Sequence, residues 1–178
     1  MAEDAEETHI EVVPATRAEQ SVVANLFELY AHDFSGFYEL ELGPDGRFGY
    51  PPLPLYWSEA ERHPFLVKID GKLAGFVLVK QGSDLTGDPA IWDLAEFFVA
   101  RGFRRRGAGT RIAQEIWKRF PGEWEVRVLE QNVAGNSFWP HAIRSFLGKH
   151  VDSSIAEKDG DRWKVFSFVS PEIAQEDS

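Results

Sequence analysis

With 178 residues, a hydrophobic fraction of 43% and no cysteine, the chain has enough apolar content for one domain with a sizeable core. The missing cysteine excludes disulfides, thiolate metal sites and a cysteine nucleophile. The formal net charge of -10 argues against a nucleic-acid partner, although seven of the carboxylates behind it (Glu3, Asp4, Glu6, Glu7, Glu172, Glu176, Asp177) sit at the two ends and leave the body nearly balanced.

Residues 1–8 read as an acidic, disordered lead, 9–169 as a single domain and 170–178 as an acidic tail. MAEDAEETHI holds no apolar run of signal-peptide or membrane-spanning length. A soluble cytoplasmic protein with no membrane partner is therefore expected. HIEVVP (9–14) alternates and is rich in β-branched residues, which predicts a strand ended by Pro14. Thr16 and Glu19 form a capping-box pattern that opens a helix through about His32. Val22, Val23, Leu26, Phe27 and Tyr30 recur along it at three- and four-residue steps, so one face is expected in the core.

From Asp33 to about Pro54 the chain carries aromatics, Gly43-Pro-Asp-Gly46 and Pro51-Pro-Leu-Pro54. This turn chemistry is too long for a plain connector, and such loops often carry function. Ser58-Glu-Ala-Glu-Arg62 predicts one or two helical turns. PFLVKID and KLAGFVLVKQ flank Asp70-Gly71, a strong hairpin signal. AIWDLAEFFVA (90–100) is mostly apolar and reads as a strand buried on both faces.

Ala108–Phe120 has helical periodicity, Trp124–Leu129 alternates as a strand, and Val133–Leu147 predicts a helix interrupted or kinked near Pro140. Strands near 150–157 and 162–169 flank Asp159-Gly160 in a second hairpin. The expected class is α/β, a mixed sheet with helices on its faces.

The stretch from Val99 to Thr110 carries the clearest chemistry. A buried strand runs into RGFRRRGAGTR (101–111), five arginines and three glycines, and then into a helix whose N-terminus offers free backbone N–H groups and partial positive charge. Gly107 and Gly109 would let amides approach an anion, with Arg104, Arg105 and Arg106 adding charge. An arginine-rich turn opening an ordinary helix is the competing reading. The P-loop lysine is absent, since Thr110 and Arg111 follow Gly109, and the third glycine and downstream acid of the dinucleotide fingerprint are absent too.

Arg104-Arg-Arg-Gly107-Ala-Gly109 resembles the pyrophosphate-binding motif of the GNAT N-acetyltransferase superfamily, written Gln or Arg, two residues, Gly, one residue, Gly or Ala. Glu130-Gln-Asn132-Val-Ala-Gly135-Asn136-Ser-Phe138-Trp139 is similar to its second motif, Asn, two residues, Ala, two residues, then a Phe/Leu-Tyr pair. The resemblance spans roughly residues 9–169. NLFELYAHDFSGF and FWPHAI further resemble a bacterial acetyltransferase subgroup of unassigned substrate.

What the resemblance implies is a GNAT fold, a central, mostly antiparallel mixed sheet flanked by helices, binding acetyl-CoA without a metal. Backbone N–H groups from Arg105 through Gly107, Ala108 and Gly109 to Thr110 would hold the pyrophosphate, with Arg104 and Arg106 nearby. Phe98 and Val99 would pair with the pantetheine like an added strand, Asn132 would touch it, and a bulge would open the slot. The reaction implied is direct attack of a primary amine, from a small molecule or a peptide, on the thioester.

A backbone N–H near Val99 would meet the oxyanion, and Glu96 would take the amine's proton. The competing reading of Glu96 is a salt bridge or an outward-facing position. Asp33 is a second carboxylate that could face the substrate, although helix-end solvation explains it equally. The family's tyrosine, which protonates the departing thiolate, aligns with Trp139, and an indole N–H is not a practical proton source. A coenzyme A binding module with weak or lost catalysis is therefore the alternative function.

Tyr30, Phe34, Tyr38 and Trp57 would line the acceptor pocket, a region made aromatic also by Phe37, Tyr50 and Tyr56; such a cluster is more often core than a cage for an amine or an aromatic acceptor. Histidines 9, 32, 63, 141 and 150 show no ligand spacing, so no metal site is expected. A homodimer is a possibility by analogy alone.

Overall fold

The computed structural model describes residues 8–104 and 107–172. They form one seven-stranded sheet with helices on both faces. In chain order the elements are β1 (Ile10–Pro14), α1 (Gln20–Phe34), β2 (Arg62–Ile69), β3 (Lys72–Gln81), β4 (Trp92–Val99), α2 (Ala108–Arg119), β5 (Gly122–Leu129), α3 (Val133–Leu147), β6 (Ser153–Lys158) and β7 (Asp161–Ser170). The sheet order is β1-β2-β3-β4-β5-β7-β6. Only β4 and β5 pair parallel; every other neighbouring pair is antiparallel.

Both hairpins follow from their turn residues. Asp70 and Gly71 take φ of 50° and 73°, and Asp159 and Gly160 take 54° and 85°, the left-handed pair a two-residue turn requires. These turns set Ile69 against Lys72 and Lys158 against Asp161. At the first helix, Glu19 Oε2 accepts from the Thr16 backbone N–H at 2.8 Å and from its hydroxyl at 2.9 Å. That box caps a 3₁₀ turn, Arg17–Glu19, from which α1 runs two residues past the expected end, to Phe34.

Two expectations are corrected. Ser58–Arg62 is not helical: a 3₁₀ turn occupies Leu53–Trp57, and Arg62 already begins β2. Pro52 and Pro54 pre-set the backbone for a helical first turn, so the turn forms there. The third helix is continuous across Pro140. A proline inside a helix costs about 3 kcal/mol, which burial of Trp139, Ala142 and Ile143 on the same helix is large enough to offset.

Ile112, Ile116 and Trp117 of α2 pack with Trp124, Val126, Trp139 and Ile143 on one face of the sheet. Val23, Leu26 and Phe27 of α1 pack with Leu66, Phe76, Leu78 and Phe98 on the other. Among the described residues no helix is long and apolar enough to cross a membrane.

The fourth strand departs from the expectation that it is buried on both faces. Leu78 faces Glu96 while Val79 faces Leu94, so Ala95 is an extra residue that bulges β4. The strand meets β5 only at Trp92↔Trp124 and Asp93↔Glu125, and the two part thereafter. Asp93, Leu94, Phe98 and Val99 are buried, whereas Ala95, Glu96 and Phe97 border the opening.

On the opposite flank β3 comes very close: a Cβ at Gly75 would lie 2.0 Å from the Phe98 carbonyl oxygen. Gly75→Ala is expected to cost about 2–3 kcal/mol, read as a lowered urea midpoint. An unchanged midpoint would contradict this close packing.

Candidate active site

The parting of β4 from β5 opens two cavities that meet at a waist. One has a volume of about 630 Å³ and lies under α1, the 35–52 loop and the final hairpin. The other, of about 500 Å³, lies between the end of β4 and the starts of α2 and α3. Tyr30, Phe34, Phe97, Asn132 and Trp139 line both.

The smaller cavity is bordered by Phe98, Val99, Arg101, Arg104 and Gly109. Ala100 N–H donates to the Ala74 carbonyl at 2.8 Å, so the Ala100–Ala74 pair is hydrogen-bonded and the next pair, Val99–Gly75, is not. Val99 therefore turns its own N–H and C=O away from β3 and into the slot.

Gly107 is the N-cap of α2 with φ of 70°, a left-handed conformation that glycine adopts without strain. Gly109 serves a second purpose beyond the expected backbone approach. A Cβ there would meet the Phe138 ring at 3.0 Å, so glycine lets α3 close on α2. Ala108 is buried and Thr110 half-buried at the same helix start. Arg105 and Arg106 lie outside the described residues.

Asp33, at the end of α1, is held in an arginine fork. Arg101 reaches its Oδ1 and Arg104 its Oδ2, each at 2.6 Å, and Arg104 Nε also donates to the Val99 carbonyl at 2.6 Å. Partial burial pushes the Asp33 pKa up, but the two guanidinium groups outweigh it and hold the group below its usual range. This carboxylate is an ionised anchor for the turn after β4, poorly suited to accept a proton. Arg101 is exposed but tied into this fork.

Glu96 lies immediately after the bulge and lines the larger cavity. Burial raises its pKa; the hydroxyls of Tyr30 and Tyr50, which donate toward it, pull it back, and the value rests at about 7. The charge of Asp93 raises it further and that of Arg127 lowers it. Tyr50 is seated by stacking on Phe27 with centroids 4.5 Å apart. Its loop is fastened to α1 by Glu28, which accepts from the backbone N–H groups of Phe48 and Gly49 at 2.8 and 2.9 Å.

Beneath Glu96 runs a charged network. Arg127 Nη2 donates to fully buried Asp93 at 2.6 Å, Lys80 pairs with Asp84 at 2.5 Å, and the Ser83 hydroxyl donates to Glu125 at 2.9 Å. Tyr38 crosses the cavity roof and donates to Asp161 Oδ2 at 2.8 Å.

Of the residues expected at the acceptor pocket, Tyr30, Phe34 and Tyr38 border the larger cavity. Trp57 does not come to either cavity: its indole N–H donates to the Ala15 carbonyl at 2.9 Å and its ring packs on the α1 core. Tyr50, one of the loop aromatics expected around the pocket, stands in the cavity wall, as do Lys80, Asp84 and Arg127, which were not singled out. Charged letters at alternating positions of otherwise apolar strands were the available signal for Lys80, Asp93, Glu125 and Arg127.

Asn132 caps α3, its Oδ1 accepting from Gly135 N–H at 2.8 Å. Trp139 is buried against Phe138 and Phe97, with centroids 4.7 and 5.0 Å away. Among the described residues no group of three or more His, Cys, Asp or Glu is placed to hold a metal.

The model of the acetyltransferase (GNAT) family matches residues 23–140, from α1 to the middle of α3. The chain belongs to this family. Its structure is similar to that of an acetyltransferase from Thermus thermophilus, at a TM-score of 0.64 and 15% identity over 90% of this chain and 96% of that one. It is similar to yncA from Salmonella typhimurium, solved with its cofactor acetyl-CoA, at 0.60 and 13%, covering 95% and 98%.

Arabidopsis thaliana NAA60 in complex with a bisubstrate analogue gives 0.56 and 12%, covering 90% and 98%. No curated protein matches the sequence. At these identities the structural likenesses show the GNAT fold, a mixed sheet flanked by helices.

A carboxylate whose folded pKa lies above its unfolded value binds more protons in the native state, so stability falls as pH rises between the two values. For Glu96 that window runs from about 4.5 to about 7. The stability difference between Glu96→Gln and the wild type is expected to move in favour of the variant across this window. Urea melts of the pair at pH 4.5 and pH 8 measure it; a difference independent of pH would contradict the raised pKa.

Proposed function

We propose that this GNAT protein transfers an acetyl group from acetyl-CoA to a primary amine, of a small molecule or a peptide, by direct attack. The observation that carries the reading is Glu96: a carboxylate with a pKa of about 7, at a strand bulge, facing the cavity that joins the one at the α2 N-terminus. A base with its pKa near the working pH combines a useful ionised fraction with adequate proton affinity.

The smaller cavity suits acetyl-CoA. The start of α2, from Gly107 through Ala108 and Gly109 to Thr110, supplies N-terminal N–H groups and partial positive charge for the pyrophosphate. Arg104 stands beside it, with Arg105 and Arg106 next in sequence. Val99 turns its N–H toward the slot while its carbonyl accepts from Arg104, and Phe98 and the side chain of Asn132 line the same slot, which fits an extended amide-bearing arm.

The larger cavity takes the acceptor. Tyr30, Phe34, Tyr38 and Tyr50 give it aromatic walls that suit an amine and its carbon skeleton. Glu96 removes the proton from the attacking nitrogen, and the Val99 N–H stabilises the oxyanion. A binding module without catalysis has no use for a carboxylate held near neutrality in the wall of the larger cavity, and this favours the enzyme.

Isothermal calorimetry with acetyl-CoA, followed by an amine panel read by free-thiol release, tests the reading. kcat/KM is expected to rise with pH through about 7, because the base works only when ionised. Glu96→Gln is expected to lower turnover by about 10²–10⁴-fold while acetyl-CoA still binds. No heat with acetyl-CoA at high concentration would refute the proposal.

A further inference from the structure

The mechanism above leaves the departing thiolate without a proton donor, since Trp139 stands where the family's tyrosine would be. Trp139 is closed in by Phe97, Phe138 and Trp117, and its indole N–H does not release a proton near neutral pH. Five residues line both cavities, and of these Phe34, Phe97, Asn132 and Trp139 carry no group that titrates in water. The fifth is Tyr30.

Its hydroxyl donates toward Glu96, and its ring is fixed edge-on to Phe76 and Phe98 at centroid distances of 5.9 and 6.1 Å. Tyr30 thus stands at the waist, sharing the larger cavity with Glu96 on one side and bordering the smaller cavity on the other.

We propose that Tyr30 is the acid of the reaction, relaying to sulfur the proton that Glu96 takes from the amine. The proposal rests on the acetyltransferase reading. As the C–N bond forms, the surplus proton on nitrogen passes to Glu96. The C–S bond then breaks with its electron pair on sulfur. Tyr30 gives its hydroxyl proton to that sulfur and receives the proton from Glu96, so the phenol and the carboxylate are both restored and no other reactant is consumed.

Burial and the nearby carboxylate push the Tyr30 pKa well up, so it cannot give its proton away alone; the exchange with Glu96 has to be coupled. The net transfer runs from an acid of pKa about 7 to a thiolate whose conjugate acid has a pKa of about 8.5, which is downhill. An indole at position 139 is then no handicap.

The test compares Tyr30→Phe with Tyr50→Phe. Both remove a hydroxyl that donates toward Glu96, but Tyr50 lines only the acceptor cavity. The readouts are kcat with acetyl-CoA and an accepted amine, acetyl-CoA affinity by calorimetry, and the proton inventory in mixed light and heavy water. Tyr30→Phe is expected to lower kcat about 10–100-fold with acetyl-CoA affinity within about threefold, and to turn a curved inventory, with more than one proton in flight, into a linear one. Tyr50→Phe is expected to keep the curved inventory.

The relay is overturned if Tyr30→Phe keeps kcat within about threefold, if its inventory stays curved, or if Tyr50→Phe straightens the inventory equally. Full turnover by Glu96→Gln would instead overturn the base assignment and the relay together, which separates the two failures.

Discussion

The parting of β4 from β5 is the constraint on which the rest of the molecule depends. Two parallel strands in the middle of a sheet satisfy each other's backbone groups, and separating them leaves N–H and C=O groups that need partners. The Ala95 bulge starts the separation, and the pair Asp93↔Glu125 marks where contact ends. Everything on the β5 side of that point faces a slot instead of a neighbour. The same bulge shifts the alternation of β4 by one residue, which puts Glu96 in the wall of the larger cavity.

Holding such an opening in the centre of a sheet requires support on every side. On one flank Gly75 lets β3 approach β4 more closely than any side chain would permit. At the closed end Arg127 bonds buried Asp93, and the charges of Lys80 and Glu125 stand around that pair. A buried ion pair of this kind adds little net stability against an apolar pair, but losing one partner is costly, so it fixes the geometry where the strands divide. At the open end the Asp33 fork gathers Arg101, Arg104 and the Val99 carbonyl into one cluster, tying α1 to the turn that precedes α2. Burial disfavours the charge of Glu96, as it does that of Asp93, and at Glu96 it trades stability for a proton acceptor near neutrality.

Much of this was legible in the letters. Asp70-Gly71 and Asp159-Gly160 announce their hairpins because few dipeptides tolerate two positive φ values, and Thr16 with Glu19 announces the first helix. Residues of the two GNAT motifs, among them Arg104, Gly109, Asn132 and Trp139, line the smaller cavity. Other features were not legible, for physical reasons. One extra residue in an apolar strand has no signature of its own, so Ala95 reads as ordinary. The fork joins residues 68 and 71 positions apart. Trp57 and Tyr50 are both loop aromatics, and which one reaches the cavity is decided by tertiary partners: the Ala15 carbonyl claims the indole, and Phe27 seats the phenol.

The central claim is that the bulged strand holds Glu96, in the wall of the larger cavity, as a carboxylate poised to take a proton near neutrality. A carbon-13 NMR titration of the glutamate side-chain carboxyls, with Glu96 assigned by difference from Glu96→Gln, measures this directly. The account predicts one resonance that titrates near pH 7, well above the exposed glutamates. A Glu96 resonance that titrates with them near 4.5 would contradict it.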